Sequence, residues 1–315
     1  MVKKAIIFGA GGQDGHYLNR LLEQKGYRVL GTGAGGQAGE SAGEYQKCDI
    51  TSREQVEKVV SGFLPDEAYN LAAVSSPKIA EEAPALAHAV NVDGVENLIG
   101  AIERHCPKCR IFHASSGYIF APSADAKNEK SPFGASGEYA KTKLQAHFLV
   151  AQARKRGMFA ANGILFNHES PLRGEEFVTR KVTHAAAQFK LGMRKERLLM
   201  GDLDSVRDWG FAGDYVEAMW MMLQAKKPAD YVIATGEAHS VREFCEVAFS
   251  RLGMDYGKFV GTYPALLRPK GINRLVGDIT LIKKELGWMP KTSFAQLVEM
   301  MVGADIASLQ KEGRK

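Results

Sequence analysis

The chain has 315 residues, about twice a common domain of ~150 residues, so one large domain or a large one with a smaller partner is expected. Its composition, 45% hydrophobic and 24% charged, suits a globule with a sizeable core and excludes a disordered chain, a collagen and a disulfide scaffold. Lys and Arg number 41 against 36 Asp and Glu, and the resulting +5 is too dilute to argue for nucleic acid, though it accommodates an anionic ligand.

In chain order, the first half alternates short apolar runs with helical stretches, the pattern of βαβ units and of a parallel sheet covered on both faces. Ala5–Phe8 reads as the first strand. His16–Lys25 sets Tyr17, Leu18, Leu21 and Leu22 on one helical face before Gly26 stops it. Arg28–Thr32 is a second strand, and Ser52-Arg53-Glu54-Gln55 resembles a capping box opening a helix with Val56, Val59, Val60 and Phe63. Ala68–Val74, Arg110–Ser115 and Ala160–Phe166 read as buried strands, with Val90–Ile102 and Tyr139–Gln152 as helices between them. The second half is more mixed, with a strand at Tyr231–Ala234 and helices near Gly213–Gln224, Val241–Arg251 and Phe294–Ala304. The expected fold is α/β, a doubly wound parallel sheet carrying a smaller lobe.

No apolar run approaches the ~18 residues of a membrane helix. Met1–Lys4 is too short a lead for a secretory signal. The four cysteines, Cys48, Cys106, Cys109 and Cys245, imply reduced thiols and a cytoplasmic setting. His105-Cys106-Pro107-Lys108-Cys109 lacks the second ligand cluster that a zinc site needs and reads as a turn. Met219–Met222 reads as core and Lys311–Lys315 as a solvated end.

Gly9-Ala10-Gly11-Gly12-Gln13-Asp14-Gly15 lies directly between the first strand and the first helix. Glycines at 9, 12 and 15 permit a tight turn, let backbone approach a pyrophosphate and aim it at a helix N-terminus, where unpaired N–H groups and the dipole favour an anion. In this setting the string reads as a dinucleotide site. The end of the second strand normally carries an acid for a ribose or a base for a 2′-phosphate. Gly31–Gln37 holds neither, and the lack of Arg or Lys through Gly39 tilts the choice slightly to NAD over NADP.

Tyr139-Ala140-Lys141-Thr142-Lys143 contains Tyr-x-x-x-Lys, and the i,i+4 spacing sets Tyr139 and Lys143 on one helical face. An ammonium beside a phenol favours phenolate, moving its pKa down from about 10 toward working pH. Tyr139 then takes the proton of a sugar hydroxyl as the carbon is oxidised. Ser115 and Ser116, at the end of the preceding strand, are placed to hold the same oxygen.

Glycine loop, serine pair and Tyr-x-x-x-Lys together resemble the extended short-chain dehydrogenase/reductases that modify nucleotide sugars, a Rossmann-type fold. More narrowly, the chain resembles the GDP-mannose 4,6-dehydratase family through Gly12–Gly15, Tyr69–Ala73, Gly163–Pro171, Phe177–Lys181, Arg207–Gly210 and Ala234–Glu237. The resemblance implies a cytoplasmic, NAD(P)-dependent enzyme on a GDP-linked hexose, a homodimer or tetramer with no metal, nucleic acid or membrane partner. It places Asp49, Ile50, Leu71, Ala72 and Ala73 beside the cofactor, together with Gly9, Gly12, Gln13, Asp14, Gly15, Tyr139 and Lys143. Ser75 and Ser116 fall on the substrate side. Asn167, Val178 and Lys181 are implied to face the nucleotide diphosphate, and Arg207 and Arg268 to reach its phosphates or ribose, where guanidinium forks suit phosphate. An ion pair of Arg207 with Asp208 or Asp214 is the structural alternative, and His168 bonding backbone is another. The expected division is a dinucleotide-binding domain over 1–166, with 203–235 and part of 276–315 packing onto it, and a GDP-sugar lobe over 167–202 and 236–275.

Three departures qualify the resemblance. Family members read Ala-Ser-Thr-Ser-Glu at the catalytic strand end, whereas this chain reads Ala114-Ser115-Ser116-Gly117-Tyr118. Tyr118 thus stands where the family keeps the glutamate that removes the C5 proton and protonates the departing C6 hydroxyl. A phenol of ordinary pKa is a poor replacement. Ala34 and Gly35 occupy the place of an arginine pair for the 2′-phosphate, and Gly271 that of an acid for substrate hydroxyls. Glu129 and Glu138, in and just after Pro122–Gly137, are alternative carboxylates that a folded-over loop would bring to the sugar. The leading expectation is a 4,6-dehydratase that starts by oxidising C4. The runner-up performs only C4 redox, as a reductase or 4-epimerase. A nucleotide sensor without turnover is a third reading, and the intact Tyr139/Lys143 pair speaks against it.

Overall fold

The computed structural model describes residues 2–35, 43–263 and 274–313. Strands β1 (Lys4–Phe8), β2 (Arg28–Gly33), β3 (Glu44–Lys47), β4 (Glu67–Asn70), β5 (Arg110–Ser116) and β6 (Ala160–Leu165) join Tyr231–Ile233 in one seven-stranded sheet. From one edge the order runs Tyr231–Ile233, β6, β5, β4, β1, β2, β3, and every pairing is parallel. Parallel strands are covered on both faces, which is why β1, β4, β5 and β6 are almost wholly buried. Helix α1 (Gln13–Gln24) packs on one face through Leu18 and Leu22. Helix α2 (Arg53–Phe63) packs on the other through Val56, Val59, Val60 and Phe63. Each such fully buried aliphatic side chain contributes about 1.5–3 kcal/mol.

Strand order reverses on either side of β1, and the carboxyl ends of β1 and β4 open a crevice there. The glycine loop leaves β1 at that point. The strand expected over Ala68–Val74 stops at Asn70. Beyond it the chain crosses Gly9 so closely that a Cβ there would lie 2.7 Å from Ala72 N. Val90–Ile102 is also modified: one π-turn, Ala89–Asp93, precedes the helix Gly94–His105. Ser52 does cap α2, but Gln55 reaches Asp49 N rather than closing a box; the reciprocal box lies at Ser293 and Gln296.

A second core sits away from the sheet. Val182, Trp209, Phe244, Phe249, Leu297 and Met301 gather the helices Val178–Lys190, Val241–Ser250 and Phe294–Glu312 around short strands at Leu198–Met200 and Val260–Thr262. The C-terminal helix therefore packs here rather than on the sheet. A small cluster of Ile119, Phe120, Phe166, Val232, Ala234 and Leu275 fills the seam between β5–β6 and this second core. Among the described residues no helix is long and apolar enough to cross a membrane. Arg268 and Gly271 lie outside the described residues, as does 36–42 of the segment after β2.

Candidate active site

The phosphate loop is packed tight on one side and open on the other. Gly9 adopts φ +86°, which an L side chain rarely takes. A Cβ at Gly15 would sit 2.6 Å from Ala10 Cα and Gly9 O, so helix and strand meet only because that Cβ is absent. At Gly12 a Cβ would meet only Gly9 O, at 3.4 Å, and would project into open space. Gly12 caps α1 with extended backbone and makes no side-chain cap hydrogen bond to the first turn. A helix N-terminus above a bare glycine, uncapped by any N-cap side chain, fits a pyrophosphate. Around the loop, Leu71, Ala72 and Ala73 are half-buried, Ile50 is buried under Gly94, and Asp49 Oδ1 accepts Thr51 N and Oγ1 at 2.9 and 2.8 Å.

Alternation along β5 separates the two serines. Ser115 turns inward, its Oγ 3.2 Å from His147 Nδ1, which corrects the expectation that both serines share one ligand oxygen. Ser116 turns toward Tyr139 and acts to lower its hydroxyl pKa, while its Oγ accepts Tyr118 N at 3.3 Å. The helix Glu138–Lys155 brings Tyr139 and Lys143 to the same face. Lys143 is only 4% exposed, and its Nζ donates to the Ala114 carbonyl at 2.5 Å. Burial pulls that ammonium down to about 8, with Asp14 opposing. Tyr139 moves the other way: burial pushes its hydroxyl up, Ser116 and Arg173 oppose, and Tyr118 and Asp14 add to the rise. The sequence expectation of a phenol lowered by the ammonium does not hold in this geometry, because Lys143 is committed to Ala114 and burial dominates.

Tyr118 stands edge-on to Tyr139, ring centroids 5.9 Å apart at 79°. It rides a single 3₁₀ turn, Gly117–Ile119, so the position to which the resemblance assigns a glutamate lies against the phenol. Neither alternative carboxylate faces it. Glu129 Oε1 accepts Val232 N at 2.7 Å along the sheet edge, and Glu138 pairs with Lys141 at 2.7 Å.

The nucleotide block starts where the strand Asn167–Glu169 pairs in parallel with Trp209–Phe211. Asn167 Oδ1 is buried without a partner among the described residues, an acceptor left for a ligand donor. Glu169 accepts Thr179 Oγ1 at 2.7 Å and faces Arg173, whose guanidinium lies 3.4 Å over the Phe177 ring. Val178 opens the next helix, half-buried, and Lys181 projects into solvent a turn later. Arg207 Nη1 donates to Val206 O at 2.8 Å. Asp208 is taken by Thr235 N and Oγ1, Gly236 N and Gly277 N, and Asp214 by Lys291 N and Thr292 N, so both carboxylates weighed as ion-pair partners are engaged elsewhere. Ser75 is exposed beside this crevice's β4 loop.

Sequence reasoning passed over two residues and discounted a third. Asn91, on the π-turn, accepts Val74 N at 2.8 Å and donates to Thr142 Oγ1 at 3.1 Å, tying the β4 loop to the Tyr139 helix. Its one signal is an amide inside an apolar helical run. Arg173 exerts its charge on Tyr139, Asp14 and His168, and nothing in its local pattern marks it. His168 does more than bond backbone: it meets Phe166 O at 2.7 Å and also Asp14 Oδ2 at 2.8 Å.

Comparison with known proteins adds to this geometry. A family model described as GDP-mannose 4,6 dehydratase matches residues 6–301. GDP-mannose 4,6 dehydratase 2 of Arabidopsis thaliana is 38% identical over 331 residues, covering 98% of this chain and 88% of that protein. GDP-mannose 4,6 dehydratase of Homo sapiens is 36% identical, covering 96% and 91%. Among solved structures, UDP-glucose 4-epimerase of Thermus thermophilus in complex with NAD superposes with a TM-score of 0.83 at 23% identity, covering 96% of this chain and 98% of that one. RMD from Pseudomonas aeruginosa complexed with NADPH gives 0.83 at 20% identity, covering 98% and 100%. At those identities the structures speak to the fold.

Proposed function

The chain belongs to the GDP-mannose 4,6-dehydratase family, and from that premise we propose that it modifies a GDP-linked hexose, beginning with nicotinamide-dependent oxidation at C4. The observation that carries this reading is the convergence of Ser116, Tyr139 and Lys143 beside an open glycine loop at the carboxyl ends of β1 and β5. A bound nicotinamide dinucleotide supplies the hydride acceptor for C4. Tyr139 takes the C4 hydroxyl proton, Ser116 holds the same oxygen, and Lys143 lends positive charge beneath them. Gly9, Gly12, Gln13, Asp14 and Gly15 cradle the pyrophosphate, with Asp49, Ile50 and Leu71–Ala73 along the rest of the dinucleotide. Asn167, Val178, Lys181 and Arg207 hold the GDP moiety, with Ser75 near the sugar; Arg268 is assigned the same role from its motif alone. We assign 167–202 and 236–275 to the GDP-sugar lobe and 1–166, with 203–235 and part of 276–315, to the dinucleotide-binding part.

One observation favours a second reading. Tyr118 occupies the elimination position against Tyr139, and Glu129 and Glu138 are engaged elsewhere. A C4 reductase or 4-epimerase needs the Ser-Tyr-Lys set and no glutamate. Incubation with GDP-mannose and cofactor tests both. A 4-keto-6-deoxy product supports the dehydratase, C4 redox without loss of water supports the alternative, and the absence of both product and cofactor reduction defeats the enzymatic reading. GDP is expected to bind more tightly than UDP by calorimetry.

For the cofactor we favour NAD, since Ala34 and Gly35 offer no cation to a 2′-phosphate. Dissociation constants for NADH and NADPH decide it; a tenfold preference for NADPH, about 1.4 kcal/mol, reverses the choice. All four cysteines are free, which supports a cytoplasmic setting, and exposed Phe148 packed against exposed Phe133 supports a homodimer contact.

A further inference from the structure

We propose that His168 is a positioning residue that couples the phosphate loop to the nucleotide block and, by neutralising Asp14, sets the charge environment in which Tyr139 works. The inference rests on the reading of Tyr139 as the proton acceptor at C4. Its geometry stands independently of that reading.

The first turn of α1 carries Gln13 and Asp14, and the strand Asn167–Glu169 carries His168. His168 Nδ1 donates to Phe166 O at 2.7 Å, which leaves Nε2 facing Asp14 Oδ2 at 2.8 Å. With one ring nitrogen already donating, a second N–H on the carboxylate makes the ring an imidazolium. Two further bonds cross the same gap: Gln13 Nε2 to His168 O at 3.2 Å, and Ser170 Oγ to Gln13 Oε1 at 2.8 Å. Gln13 Nε2 also holds the other Asp14 oxygen, at 3.2 Å. The ring is stacked on Tyr215, centroids 4.7 Å apart at 26°. The His168 and Asp14 side chains are 12% and 19% exposed, and water screens them poorly.

The charged and titratable groups facing His168 are Asp14 from α1, Arg173 from the loop beyond Ser170, and Tyr215 beneath. Asp14 in turn acts on Lys143 and Tyr139. Burial disfavours both charges of the pair, yet mutual attraction outweighs it, keeping the Asp14 carboxyl below and the His168 imidazole above their ordinary ranges. Without the imidazolium, the Asp14 charge would act uncompensated on Tyr139 and push its phenol higher still. The signs define a window. The Asp14 part of the strut is lost as pH falls through its lowered value. The His168 part is fully present below the ordinary histidine value, about 6.5, and is lost as pH rises through the raised one.

The decisive measurement needs no turnover. In protein with ¹³C-labelled imidazoles, the His168 resonance, assigned with His168→Asn, should titrate above the ordinary 6.5, and Asp14→Asn should bring it down. A His168 that titrates at or below 6.5, or that ignores Asp14→Asn, overturns the proposal. The second arm is the pH profile of C4 oxidation. His168→Gln should move its acid limb upward enough to lower kcat/KM about threefold to tenfold at pH 7. An unmoved limb in folded His168→Gln also overturns it. If the wild-type protein shows no C4 oxidation, the proposed function fails while the NMR arm still decides the strut. If His168→Gln does not fold, the Asp14→Asn titration decides alone.

Discussion

In deuterated water the wild-type protein is expected to oxidise C4 of GDP-mannose while placing little deuterium at C5, and Tyr118→Glu is expected to raise C5 exchange by about 10²–10⁴-fold, the usual worth of a positioned general base. On the proposed reading, oxidation at C4 uses Tyr139, Ser116 and Lys143, whereas C5 abstraction needs a second group aimed at the neighbouring carbon. On that reading Tyr118 holds the position; its own N–H donates to Ser116 Oγ and its ring abuts Tyr139. A carboxylate substituted there inherits a rigid strand end, which holds a base in register better than a loop does. Glu129 is unsuited to the task because it caps the edge strand at Val232, and burial pushes its carboxyl up. Nuclear magnetic resonance of recovered sugar nucleotide reads the exchange. Rapid deuterium incorporation by the wild-type protein would show that another base operates. An inert Tyr118→Glu would show that the strand end is misaligned with the family.

Tyr139→Phe is expected to lower C4 oxidation by about 10²–10⁴-fold while leaving GDP binding by calorimetry close to wild type, since the phenol acts on the sugar rather than the nucleotide. Lys143→Met should lose activity comparably and yet unfold at a temperature no lower than wild type at pH 7. The second expectation follows from burial. Lys143 has no carboxylate among its hydrogen-bond partners in the described residues, only Ala114 O, and burial holds its ammonium down at about 8. A folded value below the unfolded one means that the charged form costs stability at and below pH 8. That cost fades as pH rises from about 8 toward the unfolded 10.5. The stability advantage of Lys143→Met should therefore be largest near neutrality and narrow above pH 8. A variant that is much less stable at pH 7, or an active Tyr139→Phe, would contradict this account of the pair.

Local pattern carried much of this. Apolar runs separated by helical periodicity implied the parallel sheet, since strands covered on both faces must be apolar throughout. What it missed had weak or misleading local signals. β3 is polar and largely exposed, so no hydrophobic run marks it. Ala68–Val74 looks like one strand, yet the chain leaves the sheet after Asn70 and passes close over Gly9, which has no Cβ to block it. Ser115 and Ser116 look equivalent until the pleat points one to His147 and the other to Tyr139.

By itself the sequence determined the glycine loop at the first βα turn, the i,i+4 pair Tyr139/Lys143, the family blocks and a tyrosine, Tyr118, where the resemblance implies a glutamate. These are short-range features, set by residue type and spacing within a few turns. Tertiary structure alone decided which charges meet. Asp14 and His168 are 154 positions apart, Asn91 and Thr142 are 51 apart, and Asp208 reaches Thr235 and Gly236 across 27 and 28. It also decided that Lys143 answers to Ala114 and that burial, not the ammonium, governs Tyr139. The physical reason is that desolvation and pairing depend on distance and packing, and neither follows from order along the chain.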